Sequence, residues 1–406
     1  MSGIVALALM LAFWWMLVTA SRSRPAAPPP RRQLPASERP AGLDEVLDDP
    51  AGSEQDGVLI FSGRLRVAAR VAYERLQELA PLGTVPLLQE GEEGAVSVIL
   101  APAERIHGPA PAPTRPALHW LLFGLTLLTT TWAGSLHHGA TTLDLAEVLR
   151  TGLPYSAGLM AILGIHELGH FFAARAHRMD VTPPYFIPVP FALGTFGAFI
   201  RIRSRPKDRK ALFDMAVAGP LAGLAVAVPA LLVGLQSSEI VAAPAGGTAD
   251  PFSAGTSVGS SILFAALAKL SLGPALEAGH ILRLSPLAFA GWLGLLVTAL
   301  NLLPIGQLDG GHVTRALLGH RAGSSLGTVA MWSLLLLAFF VWPGLLFWAV
   351  LVFFLAGRGA PPLEDVTPLE PGRRLVGFAT LGLLILLLLP LPHSLWAGFG
   401  IHCPYL

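Results

Sequence analysis

Cysteine and charged residues are both scarce in this sequence of 406 residues. Cys403 is its single cysteine, which excludes an internal disulfide and a cysteine-rich zinc site. Charged residues make up 13% of the chain, against about 25% in an ordinary soluble domain. The formal net charge is +1, so there is no global positive field that would attract nucleic acid. Any bound metal would therefore be held mainly by histidine, aspartate or glutamate.

Hydrophobic residues make up 53% of the chain, and its mean hydropathy is +0.61. They are gathered into runs that approach the ~20 residues of a membrane-spanning helix. The run over residues 1–20 is followed, not preceded, by basic residues, so we predict a retained helix instead of a cleaved signal peptide. Seven further apolar stretches cover residues 117–136, 152–174, 212–235, 284–303, 326–341, 343–355 and 375–391. We predict seven or eight spans, because the two short stretches around Pro343 form either two helices or one kinked helix.

The positions of the basic residues agree with this topology. If the N-terminus lies outside, the linker with its small domain and the loops that follow residues 174, 303 and 355 lie in the cytoplasm. These four segments hold most of the basic residues, including Arg209 and Arg315. The predicted outer loops hold few, namely Arg150, Lys269 and Arg283. The charge pattern therefore predicts an integral membrane protein, which we place in a bacterial inner (plasma) membrane with its site toward the cytoplasm.

The N-terminal region differs in composition from the apolar stretches. Residues 21–55 are rich in proline, alanine and arginine, which is typical of a linker. Residues 56–103 are predicted to form a small cytoplasmic α/β domain without a catalytic constellation. Its predicted elements are strands at 57–61, 85–88 and 95–100 and a helix at 65–79. After it we expect a catalytic membrane core over residues 117–320 and C-terminal transmembrane helices over 321–406.

The sequence His166-Glu167-Leu168-Gly169-His170 carries the most specific chemistry in the chain. His166 and His170 are four residues apart in a predicted helix and so share one face. Two imidazoles in this arrangement suit tetrahedral zinc with an open position. Glu167 lies between them, where it can take a proton from water and later pass it to a leaving amine. Because ionisable groups inside a membrane span are costly unless they serve a function, we favour a zinc protease site over a pair of core histidines.

A third metal ligand must come from elsewhere in the chain. The sequence offers several histidines and the carboxylates of Asp309, Glu277, Asp180 and Asp214. Glu277 falls in a predicted outer loop, on the wrong side of the membrane. Asp309 follows the span that ends near residue 303, at the depth of the two histidines. We therefore favour Asp309, with His312 as a nearby alternative.

The backbone around Asp309 supports this choice. Pro304 and the pair Gly310-Gly311 break the helix at this point. Irregular backbone at membrane depth must be buried in protein or line a water-filled cavity, which is where a metal ligand would be useful.

Residues 180–205 suggest how a substrate would be held. Residues 197–203 end in alternating polarity with period two, which is typical of a half-buried strand. Four prolines precede them and stop a helix from forming: Pro183, Pro184, Pro188 and Pro190. We hypothesise a membrane-associated β-hairpin whose edge pairs with an extended substrate, with Phe199, Ile200 and Ile202 in contact with it. The alternative is an amphipathic cytoplasmic loop.

The paired motifs resemble the site-2 protease family of intramembrane metalloproteases. The second motif is Asn301-Leu-Leu-Pro304-Ile-Gly-Gln-Leu-Asp309-Gly310, and the resemblance covers about residues 155–320. It implies that His166, His170 and Asp309 bind zinc, that Glu167 is the general base, and that Asn301 helps to stabilise the oxyanion. It also implies regulated intramembrane proteolysis of transmembrane protein or peptide substrates in a lipid bilayer.

Other segments of the sequence resemble one branch of that family. Ala218-Gly219-Pro220 resembles another family motif, and the short loop at 236–279 leaves no room for the common PDZ insert. The N-terminal domain, residues 184–199 and residues 300–311 look more like the PDZ-less branch related to plant chloroplast members.

The sequence allows three other interpretations of its function. A membrane protease of the CAAX type would use a glutamate such as Glu277 as its third ligand. A membrane di-iron oxygenase needs several histidine boxes, and the sequence has one. A transporter or inactive scaffold would leave the intact His-Glu-x-x-His sequence unexplained. We therefore predict an α-helical polytopic membrane protein with seven to eight transmembrane helices, a small N-terminal cytoplasmic α/β domain and a membrane-associated β-hairpin.

Overall fold

The computed structural model describes residues 32–91, 94–107, 114–139, 144–242, 261–273, 280–340, 346, 349–350, 352–353 and 360–389. The predicted helix at 1–20 and most of the predicted span at 343–355 lie outside these residues. The chain divides into two compact units. One contains residues up to Pro86 together with Gly91–Ala103, and the other contains Leu87–Glu90 and the chain from Glu104 onward.

The first unit is built on an antiparallel sheet. In chain order its elements are β1 (Arg32–Leu34), β2 (Leu47–Gln55), β3 (Val58–Leu65), α1 (Ala69–Leu79), the first residues of β4 (Thr84–Glu90) and β5 (Val96–Pro102). Strands β1, β2, β3 and β5 are neighbours in that order, with antiparallel pairing. Helix α1 buries Ala72, Tyr73 and Leu76, which the helical repeat places on one face. The predicted strands and helix of residues 56–103 are therefore present.

The predicted linker is wrong from Arg32 to Gln55, because β1 and β2 occupy this part of the range. Its composition is rich in proline and charge, yet Leu34, Leu43 and Leu47 are buried. A few well-placed leucines suffice here, since the neighbouring strand β3 supplies the hydrogen-bonding partner that composition does not reveal.

The second unit is mainly helical. Its helices are α2 (Ala103–His107, shared at Ala103 with the first unit), α3 (Pro116–His137), α4 (Leu145–Ala176), α5 (Arg209–Gln236), α6 (Ile262–Leu272), α7 (Pro286–Asn301), α8 (Asp309–Phe340) and α9 (Pro371–Leu388). Its further strands are β6 (Tyr185–Pro188), β7 (Thr195–Phe199), β8 (Glu239–Ala242), β9 (His280–Arg283) and β10 (Glu364–Asp365). Helix α8 consists of two helices joined at Gly319, whose φ of 84° and ψ of 170° are not helical.

Within the described residues, α4, α5 and α9 are long and apolar enough to cross a membrane. Helices α6 and α7 are apolar but shorter, at 11 and 16 residues. The protein is thus mostly helical, with three candidate spans and a small amount of sheet. The larger number of seven to eight spans stays a prediction.

Small residues bring the helices around the site into close contact. A Cβ atom on Gly169 of α4 would lie 2.5 Å from the Ala218 carbonyl oxygen of α5. A Cβ atom on Gly291 of α7 would lie 2.8 Å from the Leu231 Cβ of α5. Helix α5 is therefore held tightly between α4 and α7, and these two helices carry most of the candidate site.

The predicted hairpin is present as the antiparallel pair β6 and β7, in which Tyr185 pairs with Phe199 and Phe186 with Ala198. The strand covers Thr195–Phe199 and so begins two residues before the predicted start at Gly197. An antiparallel bridge between Val181 and Ile202 continues the ladder beyond it.

The hairpin lies along α3, and side chains of α3 and α4 hold its backbone. The His119 Nδ1 atom lies 3.0 Å from the Pro184 carbonyl oxygen, near the start of α3. Ten residues further along α3, Thr129 Oγ1 donates to the Gly194 carbonyl oxygen at 2.7 Å. Tyr155 of α4 donates to the Leu193 carbonyl oxygen at 2.9 Å. The hairpin is thus attached at both its base and its turn.

Candidate metal centre

The structure brings the three favoured ligands together, although Asp309 is far from the histidines in sequence. His166 Nε2 and His170 Nε2 are 3.1 Å apart, and they lie 3.4 Å and 3.3 Å from Asp309 Oδ2. Tetrahedral zinc with bonds of about 2.0–2.2 Å separates its ligand atoms by roughly 3.3–3.6 Å. The spacing and the chemistry of this His₂Asp set therefore fit a zinc ion.

A backbone carbonyl orients the His170 imidazole. The Nδ1 atom of His170 lies 2.8 Å from the Met215 carbonyl oxygen of α5. That nitrogen therefore donates a proton to the carbonyl, which leaves Nε2 as the free electron pair for a metal. At the end of α7, Asn301 Nδ2 lies 3.3 Å from His166 Nε2. Asn301 is thus at the candidate centre, as predicted from its motif.

Gly219 of α5 makes room for the His170 ring. A Cβ atom at this position would lie 2.1 Å from His170 Nε2, much closer than van der Waals contact. We expect Gly219→Ala to push the imidazole away from Asp309 and to reduce bound zinc sharply. Zinc content after purification is the measurement, with circular dichroism to verify the fold.

Gly223→Ala is the matched control for this substitution. It lies one turn further along α5, where a Cβ atom would be 3.0 Å from His166 Nδ1, a contact that small adjustments relieve. We expect a much smaller loss of zinc. Equal zinc content in the two variants would contradict this role for Gly219.

Glu167 faces the loop after β7. Its side chain is buried, and the Ile200 backbone lies close enough to its carboxylate to interact with it. Ile200 itself is half-buried and packs against the apolar cluster around Ala174 and Met179. Phe199 and Ile202 are exposed, by 47% and 41%. Of the three predicted substrate-binding residues, Ile200 is therefore the one in contact with the candidate centre.

The other candidate ligands have different surroundings. Asp214 pairs with His177 at 2.9 Å and with Arg373 at 2.8 Å. The Asp180 carbonyl accepts from the Arg203 backbone N–H, which places it in the ladder beyond the hairpin. His312 is outside the group of three ligands, and its buried Nδ1 has no hydrogen-bond partner in the described part of the chain. Glu277 lies outside the described residues.

Sequence reasoning missed a buried ionic cluster beside the centre. Arg209, Arg315, Glu364 and Asp365 are all buried, and Arg209 Nε donates to Asp365 Oδ1 at 2.8 Å. Burial raises the pKa of the Asp365 carboxyl, and the charge of Arg209 opposes that rise. From the sequence alone, Arg209 and Arg315 look like ordinary loop charges. The acidic pair Glu364-Asp365 between apolar stretches was the available signal.

A His-Glu-x-x-His sequence on a helix apolar enough to span a membrane, joined by an aspartate from α8, is the arrangement expected of a membrane metallopeptidase. Residues 154–342 match the family model described as Peptidase family M50. Residues 154–342 are therefore similar to Peptidase family M50, the family of the site-2 proteases.

Three similar curated proteins are named as probable zinc metalloproteases. Over 357 residues the chain is 31% identical to "Probable zinc metalloprotease EGY2, chloroplastic" of Oryza sativa subsp. indica, covering 84% of this chain and 63% of the relative. It is 30% identical over 352 residues to the protein of the same name in Arabidopsis thaliana, a match that covers 84% of this chain and 61% of the relative. It is 34% identical over 258 residues to "Probable zinc metalloprotease EGY1, chloroplastic" of Oryza sativa subsp. japonica, a match that covers 63% of this chain and 44% of the relative. No solved structure matches the chain.

These relatives are named as probable zinc metalloproteases, and zinc is the metal that the His₂Asp set fits. The chain spans 63% of the length of the first relative. The predicted bacterial inner membrane is contradicted, because these relatives are plant proteins named as chloroplastic. Charge asymmetry reports how helices are oriented in a membrane but not which membrane holds them, and this explains the error.

Proposed function

We propose that the protein is an intramembrane zinc metalloprotease that hydrolyses peptide bonds of transmembrane substrates, and that it has seven to eight membrane spans. One observation carries this proposal: His166, His170 and Asp309 converge beside Glu167 on α4, a helix apolar enough to span a membrane. Four ionisable side chains gathered at such a helix are costly unless they serve a function.

The chemistry follows from the positions of these residues. Zinc held by His166, His170 and Asp309 would polarise the scissile carbonyl and acidify a water molecule. The Glu167 carboxylate takes a proton from the attacking water as the oxygen bonds to the carbonyl carbon. It then gives this proton to the amide nitrogen as the carbon–nitrogen bond breaks. The Asn301 amide donates a hydrogen bond to the oxygen that gains negative charge.

A transmembrane substrate has to be unwound before this reaction, because helical peptide bonds are shielded by their own turn. The β6–β7 sheet has two strands, so one edge of β7 pairs with no strand in the described residues. We infer that an extended substrate segment adds to this edge. The contact between Ile200 and Glu167 supports this, since a strand following β7 toward Ile200 would reach the candidate base.

Replacing Ile200 by proline tests this inference. Proline removes the backbone N–H of residue 200 and fixes its φ, so the end of the substrate strand and the Glu167 contact should both be lost. We expect cleavage of a transmembrane peptide to fall below detection while zinc content stays at the wild-type level. Cleavage is measured in lipid vesicles and zinc by mass spectrometry.

Ile200→Ala is the control, because it shortens the side chain but keeps the backbone N–H. We expect it to retain most of the activity. Wild-type cleavage by Ile200→Pro would refute strand addition at this edge, and loss of zinc would show instead that the loop supports the metal site.

A further inference from the structure

The segment that delivers Asp309 is a tight loop between α7 and α8. Gly306 has a left-handed φ of 53°. A Cβ atom on Gly310 would lie 1.8 Å from the Leu302 carbonyl oxygen, and one on Gly311 would lie 2.6 Å from the Gly306 carbonyl oxygen. The loop is thus folded back against the first turn of α8. The position of Asp309 depends on this fold being maintained.

Arg315 bonds to the loop from inside the protein. Its Nη2 atom donates to the Gly306 carbonyl oxygen at 2.9 Å, and the residue is 7% exposed. Gly306 precedes Asp309 by three residues, and Arg315 follows it by six on α8. The hydrogen bond therefore ties together the two segments that flank the candidate ligand.

A buried guanidinium requires a compensating negative charge. The nearby carboxylate of Asp365, which is 2% exposed, favours the charged form of Arg315. The backbone around Asp365 is fixed in turn: Leu363 N–H donates to the Pro206 carbonyl and Glu364 N–H to the Lys207 carbonyl. Arg209 also donates to the Asp365 carboxylate and to its carbonyl oxygen. Asp365 is therefore held mainly by Arg209 and by the neighbouring backbone.

We propose that Arg315 is a positioning residue that holds the loop at Gly306, and thereby Asp309, in the geometry that binds zinc. This rests on the proposed role of Asp309 as a zinc ligand. Arginine suits the task because its planar, always charged fork directs its donors at a carbonyl oxygen in a fixed geometry, whereas lysine offers a single flexible ammonium.

The test is the zinc affinity of the full-length protein in lipid nanodiscs, measured by competition with a chelating indicator. Loss of a residue that orients a metal ligand typically weakens metal binding by about 10–100-fold. We expect a loss in this range for Arg315→Met. Arg315→Lys should fall between this variant and the wild type, because it keeps the charge but not the fork.

Arg209→Met is the matched control. Arg209 is equally buried and carries the same charge, but within the described residues its side chain bonds to Glu90 and Asp365 and not to the Asp309 loop. We expect lower thermal stability with wild-type zinc affinity. An equal loss of zinc affinity in Arg209→Met and Arg315→Met would overturn the proposal, as would wild-type affinity in Arg315→Met.

Two further variants separate the possible causes of a negative result. If Arg315→Met does not fold, Arg315→Lys decides, and wild-type zinc affinity in that variant overturns the proposal. Asp309→Ala separates the proposal from the function on which it rests. If Asp309→Ala retains zinc, the proposed metal site fails; if it loses zinc while Arg315→Met does not, only the positioning role fails.

Discussion

Replacing Glu167 by glutamine should lower the rate of peptide hydrolysis by about 10²–10⁴-fold, the usual contribution of a positioned general base. Glutamine has nearly the same shape, and its amide oxygen can still interact with the Ile200 backbone. It cannot take a proton from water near neutral pH. Because Glu167 is not one of the three converging ligands, zinc binding should be unchanged.

The assay compares cleavage of a transmembrane peptide in vesicles with the zinc content of the same preparation. Glu147→Gln is a suitable control, because Glu147 lies in the first turn of the same helix, far from the candidate centre. It should cleave at the wild-type rate. Unchanged hydrolysis in Glu167→Gln would exclude Glu167 as the base, and loss of zinc would make it a ligand.

Replacing Asp309 by alanine should abolish zinc retention and with it the activity. The substitution removes the carboxylate from the set of three and leaves two histidines on one helix. The loss of affinity should exceed the roughly 10–100-fold that follows loss of a residue which only supports a ligand. Metal analysis after dialysis against a weak chelator measures the effect.

Asp214→Ala is the control for this prediction. Asp214 was also a candidate from the sequence, but the structure pairs it with His177 and Arg373. It should keep wild-type zinc content. Full zinc retention by Asp309→Ala would point to another ligand, of which the nearby His312 is the first to examine.

The parts of the fold that the sequence could predict are those set by local pattern. The four-residue spacing of His166 and His170 is enough to place them on one helical face. Predicting Asp309 as the third ligand also depends on the depth in the membrane at which the apolar stretches end. The hairpin was recognisable from its prolines and its alternating polarity, but its exact register was not.

Other features depend on contacts between distant parts of the chain. Leu34 and Leu47 join a sheet through their neighbouring strands, which their local composition conceals. Arg315 lies 50 residues before Asp365, and no local pattern distinguishes it from an ordinary loop arginine. The fit of Gly219 against His170 also depends on how α4 and α5 meet, although the motif around it drew attention to that glycine.

The shortness of β7 limits how much of a substrate must lose its helix. The strand has five residues, which at about 3.3 Å per residue is some 16 Å of extended chain. A substrate pairing along its whole length would give up little more than one helical turn of hydrogen bonds and would regain bonds from the strand. The remainder of its membrane segment could stay helical. A local weakness beside the scissile bond, such as a glycine or proline, would then be sufficient to make a helix cleavable.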